Sequence, residues 1–170
     1  MQNPSYNVLF LCTGNSARSI LGEALMNTLG HQRFRAYSAG SHPKGEVHPL
    51  ALEALHSLRI PTDGLRSKGW EEFVQPGAPQ MDFVFTVCDR AAAEPCPVWP
   101  GHPATAHWGI PDPAAVDGTP ERQRRAFTDT LHVLESRIRL LLALRIESLD
   151  RLRLKHELEA IGKNNPEKPW

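Results

Sequence analysis

Cys12 and Arg18, six positions apart, are the residues whose types and spacing best suit covalent chemistry. Cys12 comes directly after the apolar run 8–11. Gly14, two positions after Cys12, permits a tight turn. An amphipathic segment begins at Ser19. The pattern predicts a buried strand, a turn and a helix whose N-terminus faces that turn.

The predicted loop is suited to a tetrahedral oxyanion. Successive amides at a helix N-terminus converge on an anion, and an arginine fork binds two of its oxygens. We expect oxyanion binding by Thr13, Gly14, Asn15, Ser16, Ala17, Arg18 and Ser19. A helix N-terminus beside an arginine stabilises a thiolate, so Cys12 is predicted to be a nucleophile, with the Ser16 and Ser19 hydroxyls as donors to its sulfur.

Asp112 is the predicted general acid, because displacement at an oxyanion releases an oxygen that needs a proton. A short strand over 104–108 would bring Asp112 and Pro113 to the sheet edge where Cys12 lies. An aspartate that only caps a turn is the simpler alternative. Asp117 is a nearby competitor but is not followed by a proline.

Two further cysteines follow the third apolar run, 81–87. Cys88 ends that run, and Cys96 lies eight positions later. They suit a thiol relay, but Cys88 also suits an inert core position. A zinc site with His102 and His107 is a third alternative, although neither spacing matches a close Cys pair.

The surrounding pattern predicts alternating strands and helices. Strands are expected over 8–11, 34–39, 81–87 and 104–108, and helices over 16–29, 49–58 and 120–144. A strand, helix and strand in this order form a right-handed unit with its ligand at the carboxyl end of the first strand. Arg66 and Lys68 are expected to be solvated surface charges rather than ligand contacts.

Composition limits the class of protein. The 170 residues, 41% of them hydrophobic, suit one domain, and 19 basic residues balance 19 acidic ones. This balance argues against nucleic acid or a membrane as a partner. With no apolar run long enough to span a bilayer and no leader pattern, a cytoplasmic location is expected.

The motif CTGNSARS resembles the phosphate-binding loop of the low-molecular-weight protein tyrosine phosphatase superfamily, and more closely that of its arsenate reductase branch. The resemblance covers about 6–145, and it includes the SAG run 38–40 and the Asp-Pro motif at Asp112. It implies a single-domain, three-layer α/β sandwich with a four-stranded parallel sheet, and it implies that Asp112 is the general acid. Phosphatases of this superfamily usually carry aromatic residues after Asp-Pro, where this chain has Ala114 and Ala115.

The resemblance implies an arsenate reductase that acts in arsenic detoxification. Cys12 would attack arsenate, Cys88 would attack Cys12, and Cys96 would attack Cys88. No bound cofactor or metal is expected, and the electron donor would be thioredoxin, or glutathione with glutaredoxin. One alternative is a low-molecular-weight tyrosine phosphatase that hydrolyses phosphomonoesters. A residual phosphatase activity would also be compatible with an arsenate reductase. The other alternative is a non-catalytic oxyanion-binding module. Binding alone needs neither a nucleophile nor an acid, which argues against the module.

The C-terminal part extends beyond the resemblance. We expect a reductase domain over 1–145 and a helical extension with a polar tail over 146–170. Leucines of the extension could dock on the domain, pair with another chain or cover a partner site. The oligomeric state stays open at this point.

Overall fold

The computed structural model describes residues 5–30, 32–93 and 97–164, without the side chains of residues 90 and 92. In these ranges the strands β1 (Tyr6–Cys12), β2 (Phe34–Gly40), β3 (Phe83–Thr86) and β4 (Ala104–His107) form one parallel sheet in the order β2-β1-β3-β4. The predicted single-domain α/β fold with a four-stranded parallel sheet is confirmed. β3 is shorter than the predicted run, although its β-branched and aromatic residues are typical of a buried strand.

The α-helices are α1 (Arg18–Leu29), α2 (Pro49–Ser57), α3 (Asp89–Ala93), α4 (Pro120–Leu142) and α5 (Arg151–Gly162). Their boundaries follow local signals. Pro49 and Pro120 occupy the first turn of α2 and α4, where a missing N–H costs nothing. The side chains of Thr119 and Asp150 accept a backbone N–H at the start of α4 and α5. Short 3-10 helices cover Trp70–Phe73, Pro113–Ala115 and Ile146–Ser148.

The alternation of side chains along β1 divides the core between the two faces of the sheet. Val8 and Phe10 point into a large cluster that also contains the apolar faces of α1, α2, α4 and α5. Leu9 and Leu11 point into a smaller cluster that contains Phe73 and Trp99. β1 is therefore buried on both faces, as its unbroken apolar sequence predicts.

The strand order explains where a ligand can bind. From β1 the chain crosses to β2 on one side and later returns to β3 on the other side of β1. Loops that leave a parallel sheet in opposite directions open a crevice at the carboxyl ends of the strands. Leu11 pairs with Thr86, so Cys12 and Cys88 both lie at this end of two adjacent strands.

The C-terminal helix packs on the outer strand. The indole Nε1 of the buried Trp108, just after β4, donates to the carbonyl of Leu158 in α5 at 3.0 Å. Leu158 is itself fully buried. α5 thus docks on the domain, the first of the three arrangements that the sequence leaves open. In the part of the chain that the structure describes, no helix is long and apolar enough to cross a membrane.

Candidate active site

A cavity of about 500 Å³ opens above the loop that joins β1 to α1. It is lined by Cys12, Thr13, Gly14, Asn15, Ser16, Ala17, Arg18, His42, Lys44, Asp112 and Ala114. The structure thus gathers Cys12, Arg18 and Asp112 around one space. Six of the seven residues expected to bind the oxyanion line it, and the seventh, Ser19, lies beneath the sulfur.

Cys12 lies almost fully buried at the floor of this cavity, 4% exposed. Its Sγ is 2.8 Å from Oγ of Ser19 and accepts the backbone N–H of Asn15 at 3.2 Å. The Asn15 amide Nδ2 donates to the same Ser19 oxygen at 2.8 Å, so the hydroxyl proton of Ser19 is free to point at the sulfur. When Cys12 has lost its proton, the Ser19 hydroxyl and the Asn15 N–H both donate to Sγ, an arrangement that stabilises a thiolate.

The shape of the loop between β1 and α1 depends on the backbone conformation of Asn15. Asn15 is fully buried and has a φ of 42°, in the left-handed region that asparagine tolerates better than most residues. Its side-chain oxygen accepts the backbone N–H of Lys68 at 2.8 Å. The side chain is thus bonded at both ends, which holds the turn in one orientation.

Arg18 and Asp112 meet on the other side of the cavity. Arg18 begins α1, and its Nη1 donates to the carbonyl of Ile110 at 2.9 Å. Its Nη2 lies 3.8 Å from Oδ2 of Asp112. The other carboxylate oxygen of Asp112 accepts the N–H of Ala114 at 2.9 Å. Asp112 therefore caps the turn at Ala114, as the simpler alternative predicts, and also lies beside Arg18.

Cys88 lies next to the same loop and is 2% exposed. Its Sγ is 3.6 Å from Oγ1 of Thr13 and accepts the N–H of Ala91 at 3.3 Å. A second cavity, of about 430 Å³, adjoins the first, and Cys88, Arg18 and Asp112 all line it. Both described cysteines carry free thiols. Cys96 lies outside the described residues.

The zinc site was the third alternative for the cysteines. Among the described residues no group of three or more His, Cys, Asp and Glu side chains is placed to hold a metal ion. His107 instead contacts Asp89 and Thr86, each at 2.8 Å.

Two residues at the cavity mouth were not predicted from their sequence, and the environment of one residue beneath the loop was predicted wrongly. His42 and Lys44 line the mouth, on a segment that carries no motif. Arg66 is exposed, as predicted, and forms an ion pair with Glu72. The prediction that Lys68 is solvated is wrong, because Lys68 is only 8% exposed. No local sequence signal indicates this burial, because it depends on Glu23 of α1 and Ser38 of β2, which are distant in the sequence.

The chain resembles known proteins over most of its length. Residues 7–155 match the family model described as low molecular weight phosphotyrosine protein phosphatase. An arsenate reductase of Shouchella clausii is 33% identical over 132 residues, which cover 78% of this chain and 91% of that protein.

Solved structures share the fold. An arsenate reductase of Archaeoglobus fulgidus superposes with a TM-score of 0.58 at 26% identity, over 77% of this chain and 98% of that one. A thioredoxin-dependent arsenate reductase of Corynebacterium glutamicum gives a TM-score of 0.60 at 24% identity and covers 84% of this chain. This chain spans 62% of the length of the Corynebacterium protein. The chain belongs to the low molecular weight phosphotyrosine protein phosphatase family.

Proposed function

We propose that this protein is an arsenate reductase that uses Cys12 as nucleophile, Arg18 as oxyanion ligand and Asp112 as general acid. One observation carries the choice of reaction: a second buried thiol, Cys88, lies 3.6 Å from the Thr13 hydroxyl, on the residue that follows the nucleophile. Hydrolysis of a phosphate ester has no use for a second thiol. Reduction of arsenic requires two electrons, which a pair of thiols provides when it forms a disulfide.

The first step forms a bond between sulfur and arsenic. The Cys12 thiolate attacks arsenate held by the loop amides and Arg18. One arsenic–oxygen bond breaks, and Asp112 gives its proton to the departing oxygen, which leaves as water. The product is an arsenic(V) adduct on Cys12. The donors on Sγ, Ser19 and the Asn15 amide, hold the thiolate ready for this attack.

The second step reduces the arsenic. The Cys88 thiolate attacks Sγ of Cys12, the sulfur–arsenic bond breaks, and its electron pair stays on arsenic. Two sulfurs are thereby oxidised to a disulfide while arsenic(V) becomes arsenic(III), released as arsenite. Cys96 then attacks Cys88, which frees Cys12, and an external thiol reductant of the thioredoxin or glutaredoxin type reduces the remaining disulfide.

The cavity wall supports a small oxyanion as substrate. Ala114 lines the cavity where phosphatases of the family usually carry an aromatic residue, and none of the described lining residues is Phe, Tyr or Trp. A phenyl phosphate would lack the ring contacts that are worth roughly 0.5–1.5 kcal/mol beyond the buried area. Arsenate needs no such wall.

The test is arsenite production from arsenate by the purified protein. We would supply thioredoxin with its reductase in one series and glutathione with glutaredoxin in another, and measure aryl phosphate hydrolysis in parallel. Turnover with either system is expected. Cys12→Ser should abolish both arsenite production and phosphate release, because both begin with attack by Cys12.

The variants at the other cysteines separate the two reactions. Cys88→Ser should abolish arsenite production but leave any aryl phosphate hydrolysis intact, since water completes that reaction. Cys96→Ser should still release arsenite once per molecule but fail to turn over. Efficient phosphate release without arsenite in either reductant series would make the protein a phosphatase and overturn the proposal.

A further inference from the structure

A lysine that is buried beneath the nucleophile loop has no part in the mechanism above. Lys68 is 8% exposed, and its Nζ lies 2.8 Å from the carbonyl of Arg66, 3.4 Å from Oγ of Ser38 and 3.6 Å from Oε1 of Glu23. Ser38 belongs to β2 and Glu23 to α1. Lysine is almost never buried unless it is paired, so this position indicates a specific role.

The three contacts of Nζ match the three donors of an ammonium group. Ser38 donates its own proton to Glu23 at 2.6 Å, which turns a lone pair of its oxygen towards Nζ. A neutral amine has only two N–H donors and could not donate to all three of these oxygens. Burial lowers the pKa of Lys68, while the Glu23 carboxylate opposes that change. At the surface end of the cluster, Arg66 also lowers this pKa and Glu72 raises it.

The backbone of the same residue is bonded to the active-site loop. The N–H of Lys68 donates to Oδ1 of Asn15 at 2.8 Å, and its carbonyl accepts the N–H of Gly40 at 3.0 Å. From Asn15 the chain of contacts continues through the side-chain amide to Ser19, and from Ser19 to the sulfur of Cys12, each at 2.8 Å. Lys68 is therefore three hydrogen bonds from the nucleophile.

We propose that Lys68 is a positioning residue for Cys12. Its ammonium group holds the segment 67–69 against α1 and β2. The backbone N–H of Lys68 then sets the orientation of the side-chain amide of Asn15. The fixed amide in turn leaves the Ser19 proton pointing at Sγ. This inference deepens the proposed function, because it concerns the same nucleophile, but it requires only a reactive Cys12 and holds for either oxyanion.

The experiment measures the reactivity of Cys12 without any oxyanion. The full-length wild type and Lys68→Met are alkylated with iodoacetamide across a range of pH, and mass spectrometry separates the rate at Cys12 from that at Cys88. In Lys68→Met the rate at Cys12 at neutral pH, relative to Cys88, should fall about tenfold, the effect of losing one hydrogen bond to a charged group. The pH profile of Cys12 should move to higher pH.

Two further variants serve as controls. Arg66→Met removes a positive charge two positions away at the surface and keeps the backbone carbonyl that Lys68 contacts, so it should leave the ratio of the two rates unchanged. Lys68→Met combined with Glu23→Gln removes the carboxylate that the single variant leaves buried without its cation. This double variant should recover folding stability while Cys12 stays slow.

The outcomes decide between positioning and packing. The proposal would be overturned if Lys68→Met kept the wild-type ratio of Cys12 to Cys88 alkylation. If Lys68→Met does not fold, the same ratio in the double variant would overturn it. Lys68 would then only stabilise the fold. Slow alkylation of Cys12 with normal stability would support it. Because no arsenate is present, failure of the arsenate reductase proposal would not change either result.

Discussion

Among single residues, Arg18 has a divided role. One of its terminal nitrogens is bonded to the Ile110 carbonyl, and the other lies 3.8 Å from Asp112. The side chain of Asp112 is 40% exposed, and ion pairs open to solvent contribute only about 0–1 kcal/mol. The bond to Ile110 thus holds the guanidinium in place, while its weakly paired edge remains available to an oxyanion.

Replacing Asp112 tests the general acid. We expect Asp112→Asn to lower kcat for arsenate reduction about 10²-fold to 10⁴-fold, because the amide cannot give a proton to the leaving oxygen. KM should change little. The measurement is steady-state arsenite formation. Asp117→Asn, at an exposed aspartate that does not line the cavity, is the matched control, and an equal loss there would contradict the role of Asp112.

Lys44 at the cavity mouth is expected to attract the oxyanion. It is exposed and lines the cavity, so its charge acts through solvent. Lys44→Met should raise KM for arsenate roughly fivefold, which corresponds to about 1 kcal/mol for one charge at close range in water, with kcat nearly unchanged. High salt should reduce the difference between wild type and variant. Arg35→Met, which removes an exposed charge outside the cavity, should show no such change in KM.

Among the elements of the fold, the end of β2 supports the nucleophile loop most closely. Gly40 pairs with Cys12 in the sheet on one side and bridges to Gly69 on the other. A Cβ at Gly40 would lie 2.5 Å from the carbonyl oxygen of Thr13, a backbone atom that cannot move aside alone. The glycine is therefore required by close approach of two backbones, and the SAG motif has a steric explanation.

Gly40→Ala should displace the loop as well as destabilise the fold. We expect a loss of about 1–3 kcal/mol in the free energy of unfolding, as for other overpacked sites. Alkylation of Cys12 should slow together with arsenite formation. Urea denaturation and iodoacetamide labelling measure the two effects. Ser41→Ala, one position further and half-buried, should change neither; unaltered Cys12 labelling in Gly40→Ala would show that the loop tolerates the methyl group.

For the molecule as a whole, α4 and α5 stabilise the strand that leads to Asp112. Arg137 of α4 is buried and donates to the carbonyls of Trp108 and Gly109, at 2.7 and 3.2 Å, and to Asn164 beyond α5. Burial lowers the pKa of Arg137. Trp108 stacks on Phe85 with ring centroids 3.9 Å apart. The C-terminal helix thus completes the core beside β4.

Two leucines of α5 test this interpretation. Leu158 is fully buried and Leu152 is 79% exposed on the same helix. Leu158→Ala should lower the free energy of unfolding by about 2–5 kcal/mol, whereas Leu152→Ala should change it by less than about 0.5 kcal/mol. Urea denaturation followed by circular dichroism measures both. Equal, small effects would mean that α5 does not belong to the cooperative core.

Local sequence determined much of this protein. The run from β1 through Gly14 to Arg18 is continuous, so residue types alone predicted the strand, the turn, the helix and the position of Cys12 between them. The Asp-Pro motif after a short strand likewise located Asp112 correctly at the cavity.

Only the tertiary structure decided which distant residues meet. The Lys68 amide and Asn15 are 53 positions apart, Thr13 and Cys88 are 75 apart, and Trp108 and Leu158 are 50 apart. Periodicity assigns a residue to a face of its own element, but burial of Lys68 depends on α1 and β2 closing around it. For the same reason the sequence left the position of α5 open, and only the tertiary structure shows that Leu158 packs beside β4.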